Sequence, residues 1–185
     1  MRIIHMIGLA TALFALAACD GGPPNDDPAG LLTESDLSTK VEAQSTATQP
    51  PPLTPWCSLE FGGIFGPGFD IEGRSFETAD GTIVTTVSRL PGRNLTADRL
   101  AEMRRQTQIC VEGDGDAPRI TVLELPADQF GYTVTDESGQ PAGSIGFALA
   151  DQAYVSVAIV ADRETQGELT TLLDKAVERA DEVTG

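Results

Sequence analysis

The segment SIGFALADQAYVSVAIVA, residues 144–161, carries the first signals of the fold. It predicts two apolar strands, residues 144–149 and 154–161, because Ala150-Asp151-Gln152-Ala153 between them suits a short hairpin connection. The residues that follow predict an amphipathic helix capped by Asp162 or Thr165. Its apolar stripe repeats at spacings of three and four: Leu169, Leu172, Leu173, Ala176, Val177, Ala180 and Val183.

Upstream, the same signals predict more strands and a second helix. Residues 75–79 and 82–90 form a hairpin turned at Asp80-Gly81, a pair that favours the positive dihedrals of a tight turn. Residues 120–125 and 131–135 also predict strands. Between these pairs, Thr96 is placed to cap a helix that ends near Gly113, with one face shared by Leu100, Met103, Thr107 and Cys110.

The order of these elements is strand pair, helix, four strands, helix. It predicts an α+β domain in which two main helices pack on an antiparallel sheet of five to six strands. We expect this domain to span residues 56–185, a length sufficient for a single core.

The N-terminus predicts an export signal. Residues 1–18 place Arg2 before an apolar stretch shorter than the ~20 residues of a membrane-spanning helix. The stretch ends in Leu16-Ala17-Ala18-Cys19, and small residues before a cysteine are typical of lipoprotein signals. We therefore expect Cys19 to be acylated, which anchors the protein on the extracytoplasmic face of the cell membrane without a spanning helix. The alternative is an ordinary secretory signal with an incidental cysteine.

Residues 19–55 are rich in Pro, Asp, Ser and Thr, a composition that predicts a disordered stalk. One interruption, Leu31-Leu32-Thr33-Glu34-Ser35-Asp36-Leu37, has apolar ends, and Thr33 is placed to cap a helical turn. We expect this segment to dock on the domain. The alternative is a local apolar stretch within the disordered stalk.

Charge and histidine content exclude several classes of function. The chain has 28 acidic and 12 basic side chains, a net charge of -16 that disfavours nucleic acid as a partner. Its single histidine, His5, lies in the leader, so the mature chain has no imidazole for a hydrolase or a zinc site. We expect no enzymatic activity, no cofactor and no metal.

Cys57 and Cys110 remain after acylation of Cys19, and an even pair in an oxidising compartment predicts one disulfide. The loop of 53 residues that it closes would be worth ~4 kcal/mol by chain entropy. A redox pair is the alternative, but the Cys-x-x-Cys spacing typical of one is absent.

Two segments are candidates for ligand binding. Phe61, Phe65 and Phe69 lie in FGGIFGPGF, where aromatic rings alternate with glycines, as in a ligand-contacting loop. The alternative is a loop whose rings fill the core. The densest basic cluster is suited to binding an anionic group and consists of Arg99, Arg104 and Arg105. The alternative is a solvated helix face whose charge Asp98 and Glu102 partly neutralise.

Two further motifs carry weaker signals. Glu112-Gly113-Asp114-Gly115-Asp116 resembles the start of a calcium loop, but Leu123 occupies the position of the closing glutamate, which favours a solvated acidic turn. Ser144 lacks the Gly-x-Ser-x-Gly context of a nucleophile and is interpreted as a polar strand residue.

The layout resembles that of actinobacterial lipoproteins related to the extracellular sensor domains of mycobacterial serine/threonine kinases. The shared features are the lipoprotein signal, an acidic Pro-rich stalk, the segment at residues 31–37, Trp56-Cys57 at the domain entrance and a terminal strand followed by a helix. The resemblance implies an α/β fold with a solvent-facing cleft for a ligand. Those domains typically hold two disulfides, whereas this chain can form one.

The sequence therefore predicts a non-enzymatic envelope lipoprotein whose domain binds a small ligand or an envelope protein. One alternative is a structural or assembly factor of an envelope complex. A second is a histidine-free enzyme that uses carboxylates such as Glu112, Asp114 and Asp116.

Overall fold

One antiparallel sheet organises the residues that the computed structural model describes, which are 30–47, 68–90, 95–113 and 120–182. Within these ranges seven strands lie in the order β1-β2-β3-β7-β6-β5-β4. The strands are β1 Val41–Thr46, β2 Asp70–Thr78, β3 Gly81–Arg89, β4 Ile120–Val122, β5 Gln129–Thr135, β6 Pro141–Ala150 and β7 Ala153–Val160. The helices are α1 Asp98–Gly113 and α2 Gln166–Glu182, and Glu34–Asp36 form a 3-10 turn.

This architecture confirms the predicted α+β class, with more strands than the five to six expected. The hairpins β2–β3 and β6–β7 lie where the sequence placed them, with Gly81 at a φ of 141° after the first turn. The additional strand is β1, which pairs with β2 at the sheet edge. β2 also begins at Asp70, five residues earlier than predicted.

The central strands bury both faces of the sheet. On β7, Val155, Val157 and Ile159 alternate with residues that point to the opposite side, as successive strand residues must. The first set packs with α2, and we call this side the α2 face. A Cβ added at Gly146 on β6 would lie 2.9 Å from Leu173 Cδ2, so the missing side chain admits the helix.

The opposite side of β4, β5 and β6 is covered by α1, and we call it the α1 face. Leu100 and Met103 of the helix are buried against Phe130, Tyr132 and Phe147. The ring centroids of Phe130 and Phe147 lie 6.2 Å apart in a stacked arrangement. The predicted helix face is thus confirmed for Leu100, Met103 and also Thr107, which is fully buried.

Residues 30–37, which we call the strap, pack beside α2 on the α2 face. Leu31 and Leu32 are 3% and 0% exposed. Arg74 Nη1 donates to the carbonyl of Leu32 at 2.9 Å, and Lys175 Nζ donates to that of Asp36 at 2.6 Å. The expected docking of this segment is confirmed.

The strap corrects the predicted stalk. Residues 30–37 contribute to the core and β1 contributes a strand, so the expectation of disorder is wrong for them, and the domain includes residues N-terminal to position 56. Thr33 precedes the 3-10 turn as its cap, and its backbone N–H donates to Asp36 Oδ2 at 2.7 Å. The signal at residues 1–18 and the stalk residues 19–29 lie outside the described ranges.

Candidate functional site

A row of side chains crosses four strands at one end of the α1 face. This end, where β3 and β6 finish and β2, β5 and β7 begin, is called the lower end. Ile71 of β2 pairs with Ser88 of β3, Ser88 with Tyr154 of β7, and Tyr154 with Leu149 of β6. Paired residues of neighbouring strands share a face, so these four side chains are adjacent.

Tyr154 is the centre of this row. Its side chain is buried, and its hydroxyl donates to the carbonyl of Thr96 at 2.7 Å while accepting from the Thr96 N–H at 3.3 Å. These bonds fix the chain just before α1 onto the sheet. Burial raises the pKa of the Tyr154 hydroxyl above its ordinary value, so this group stays a neutral donor.

Phe69 and Arg99 complete the site beside Tyr154. The ring of Phe69 lies 6.4 Å from that of Tyr154, tilted by 39°. The guanidinium carbon of Arg99 lies 5.5 Å from the Phe69 ring centroid, within the range of a cation–π contact. Arg99 comes from the first turn of α1, and Phe69 directly precedes β2.

We call this group of residues the lower-end patch. Apart from the buried Tyr154, its side chains are partly exposed, and its four other apolar members pack against the core beneath α1. The members are Phe69, Ile71, Leu95, Arg99, Leu149 and Tyr154. A partly exposed apolar surface beside the cation of Arg99 and the fixed hydroxyl of Tyr154 is suited to binding an apolar or amphipathic group.

A buried polar pair lies next to the patch on the same face. Thr86 Oγ1 and Ser156 Oγ are 2.6 Å apart, and both side chains are buried. They pair directly across β3 and β7, two residues along from Ser88 and Tyr154. The α1 face therefore carries a pair of bonded hydroxyl groups at its centre. On the α2 face of the same two strands, Thr85 lies between Ile83 and Val87, opposite Val157.

The predicted binding residues separate in the structure. Phe69 lies in the lower-end patch, while Phe61 and Phe65 fall outside the described residues. Arg104 Nη2 donates to the backbone carbonyls of Gln129 and Pro126, at 2.7 and 3.3 Å. Arg104 thereby joins α1 to the start of β5.

Arg105 is engaged on the surface of α1. Its Nε donates to Glu102 Oε2 at 2.8 Å, and this contact, together with a hydrogen bond from Gln106, lowers the pKa of the Glu102 carboxyl to about 2. Of the three basic residues in the cluster, Arg99 is the one placed over the Phe69 ring.

Ile71, Leu149 and Tyr154 belong to the site but were not predicted as binding residues. Their strands were predicted in part, but the strand order that places β2 and β6 on either side of β3 and β7 was not. Ser144 is a polar strand residue as predicted, and its Oγ accepts from Thr165 Oγ1 at 2.7 Å at the start of α2.

Several predicted residues fall outside the described ranges. Cys19 and Cys57 lie there, and for Cys110 only the backbone, within α1, is described. Acylation and the disulfide therefore remain predictions. Asp114 and Asp116 also lie outside, and among the described residues no group of three or more His, Cys, Asp or Glu side chains is arranged to hold a metal ion.

Within the described ranges, neither α1 nor α2 combines the length and apolar character needed to span a membrane.

The fold of this chain is similar to that of a solved structure. No protein-family model matches the sequence, and no curated protein matches it significantly. Among solved structures, the chain is similar to the extracellular domain of PknH from Mycobacterium tuberculosis, with a TM-score of 0.52 and 16% sequence identity. The match covers 83% of this chain and 93% of that chain. At this identity the likeness shows a shared fold, which agrees with the resemblance to kinase sensor domains.

Proposed function

We propose that this protein is a lipid-anchored envelope protein whose α+β domain binds a ligand or partner outside the membrane and catalyses no reaction. The observation that supports binding is the lower-end patch, where Phe69, Ile71 and Leu149 remain partly exposed around the fixed hydroxyl of Tyr154. Its fold likeness to an extracellular domain is in keeping with this role. Anchoring through Cys19 is proposed from the signal sequence.

Anchoring is tested with a Cys19→Ala variant in the producing cell. The native chain should remain with the membrane fraction, and mass spectrometry should find acyl groups on Cys19. The variant should lose those groups and keep its leader or be released. A chain that stays unmodified at Cys19 yet is processed normally would contradict the proposal.

Binding is tested with N-phenyl-1-naphthylamine, a neutral apolar fluorophore whose emission rises in apolar surroundings. We expect a saturable rise with the native chain and at least about fivefold weaker binding for Phe69→Ser and Leu149→Ser, because each removes apolar contact area.

The matched control for this experiment is Ile109→Ser, which removes an apolar side chain 56% exposed elsewhere on α1. This variant should bind the fluorophore like the native chain. Equal losses in all three variants, or no saturable signal in the native chain, would refute the patch as a binding site.

A second candidate function is that of an assembly factor, favoured by Ile109 and Val111, which are 56% and 41% exposed near the end of α1. Exposed apolar residues on one helix suit contact with another protein. In whole envelopes, chemical crosslinking to a neighbouring protein should then be lost in Ile109→Ser and retained in Phe69→Ser.

A further inference from the structure

The connection between Cys19 and the folded domain is short. Because the strap is fixed to α2, only ten residues, 20–29, lie between Cys19 and Gly30, where the described chain begins. The eleven Cα–Cα steps from Cys19 to Gly30 span at most about 40 Å when fully extended. A stalk that reached residue 55, as the composition suggested, would have allowed about 130 Å.

The connection leaves the domain at the lower end. A Cβ on Gly30 would lie 3.0 Å from Ala180 Cα and 3.3 Å from Val87 Cγ2, so Gly30 packs between the last turn of α2 and the end of β3. Val87 directly precedes Ser88, which pairs with Tyr154. The lower-end patch is therefore at the same end of the sheet as Gly30, where the connection leaves the domain. The two lie on opposite faces of the sheet.

The charges around the patch bear on what it binds. Arg99 is over the Phe69 ring, and the residue before it in the first turn of α1, Asp98, is exposed. The carboxylate of Asp98 offsets the positive charge of Arg99 and disfavours an anionic headgroup. The apolar members Ile71, Leu95 and Leu149 instead suit a hydrocarbon chain.

We infer that the lower-end patch faces the bilayer that carries the anchor and binds the hydrocarbon chain of a neutral or zwitterionic amphiphile presented by that bilayer. This inference rests on the proposed anchoring at Cys19. It specifies the ligand's chemistry and its source, a molecule held in the membrane within about 40 Å of the domain.

The test uses the full acylated chain in phosphatidylcholine vesicles, with a photoreactive amino acid replacing Ile71. The matched control carries it in place of Ala142, which is exposed at the start of β6 at the opposite end of the sheet. Illumination should yield a lipid adduct by mass spectrometry at least about fivefold more abundant from position 71.

Two results would overturn the inference, and they are distinguishable. If the chain sediments with vesicles but both positions give equal adducts, or position 71 gives none, then the patch does not bind lipid. The proposed anchor would be unaffected by that result. Failure to sediment with vesicles would refute the anchor, and the inference with it. A reporter in place of Leu95 repeats the measurement if the change at Ile71 disturbs folding.

Discussion

The guanidinium Nε of Arg179 lies 2.6 Å from Oδ2 of Asp36, joining α2 to the strap across 143 residues of sequence. Nη2 of the same side chain donates to Asp36 Oδ1 at 3.0 Å and to Thr33 Oγ1 at 3.1 Å. Arg179 thus binds both sides of one carboxylate that is mostly shielded from solvent.

Arg179→Gln should lower the free energy of unfolding by about 1–2 kcal/mol, because it removes charge-assisted hydrogen bonds and leaves Asp36 partly buried without its cation. Urea denaturation measures the change. The control Arg105→Gln breaks an exposed i,i+3 pair with Glu102 and should have little measurable effect. Equal effects of the two substitutions would contradict a stabilising role for the Arg179 contact.

The same pair predicts a pH dependence. Burial raises the pKa of the Asp36 carboxyl, but hydrogen bonds from Arg179 and Thr33 outweigh it and hold the pKa below its ordinary value. Because the carboxyl has a lower pKa in the folded state, its ionisation stabilises the fold. This contribution is complete when the pH is above the unfolded-state pKa of about 3.9, and it is lost as the pH falls through the folded-state pKa.

We therefore expect the stability difference between the native chain and Arg179→Gln to be complete at neutral pH and to shrink below about pH 4. Unfolding curves at a series of pH values measure it. A difference that is constant down to the acid transition would show that the ion pair contributes nothing through Asp36.

Leu32→Ala should destabilise the domain by about 2–4 kcal/mol, since its side chain is fully buried in the core under α2. Leu37→Ala, at a partly buried position of the same segment, should cost less.

A chain that begins at Gly30 should unfold cooperatively, and one that begins at Trp56 should not. Cooperative unfolding of the shorter chain with unchanged stability would show that the strap is dispensable.

Gly143→Ala should be strongly destabilising, by about 3 kcal/mol or more. Gly143 has a φ of 143°, and a Cβ there would lie 2.2 Å from the carbonyl oxygen of Ile159. Gly139 is the matched control, with a φ of 82° but nothing within 4 Å, so Gly139→Ala should cost about 1 kcal/mol. Thermal unfolding measures the loss of stability in both variants. Similar losses would mean that the positive φ alone, and not the contact with Ile159, explains the cost of Gly143→Ala.

The short connection to the anchor is tested by inserting twenty Gly/Ser residues at one of two places. With a fluorophore at Asp151, in the exposed lower-end turn, energy transfer to acceptor lipids should fall when the insert precedes Gly30. The same insert between Gln49 and Pro50 should leave transfer unchanged, because the chain is already fixed by the strap and β1. Equal losses from the two inserts would show that the whole stretch to residue 55 acts as a stalk.

Elements with strong side-chain periodicity were predictable. The stripe of α2 marked Leu169, Leu172 and Leu173, which are all buried, and the hairpin signal at Asp80-Gly81 marked β2 and β3. β1 was missed because Val41–Thr46 is almost entirely exposed, and its position comes from backbone pairing with β2. An edge strand of this kind leaves no hydrophobic pattern to detect.

The candidate site was predictable only in its residue types. Phe69 and the arginines of α1 were recognised as binding chemistry, but which arginine meets the ring depends on how α1 crosses the sheet. The contact between Arg99 and Phe69 joins positions thirty residues apart, and the row from Ile71 to Leu149 requires the order of four strands. Local patterns do not contain that order.

The partners of the strap also determine when folding can finish. Asp36 is bound by Lys175 and Arg179 of α2, so these contacts cannot form until the chain has been synthesised through that helix. A nascent chain that lacks α2 leaves Leu31 and Leu32 without the helix they pack beside. The first residues of the domain to be made are thus among the last to reach their native contacts, and long-range closure of this kind is intrinsically slow.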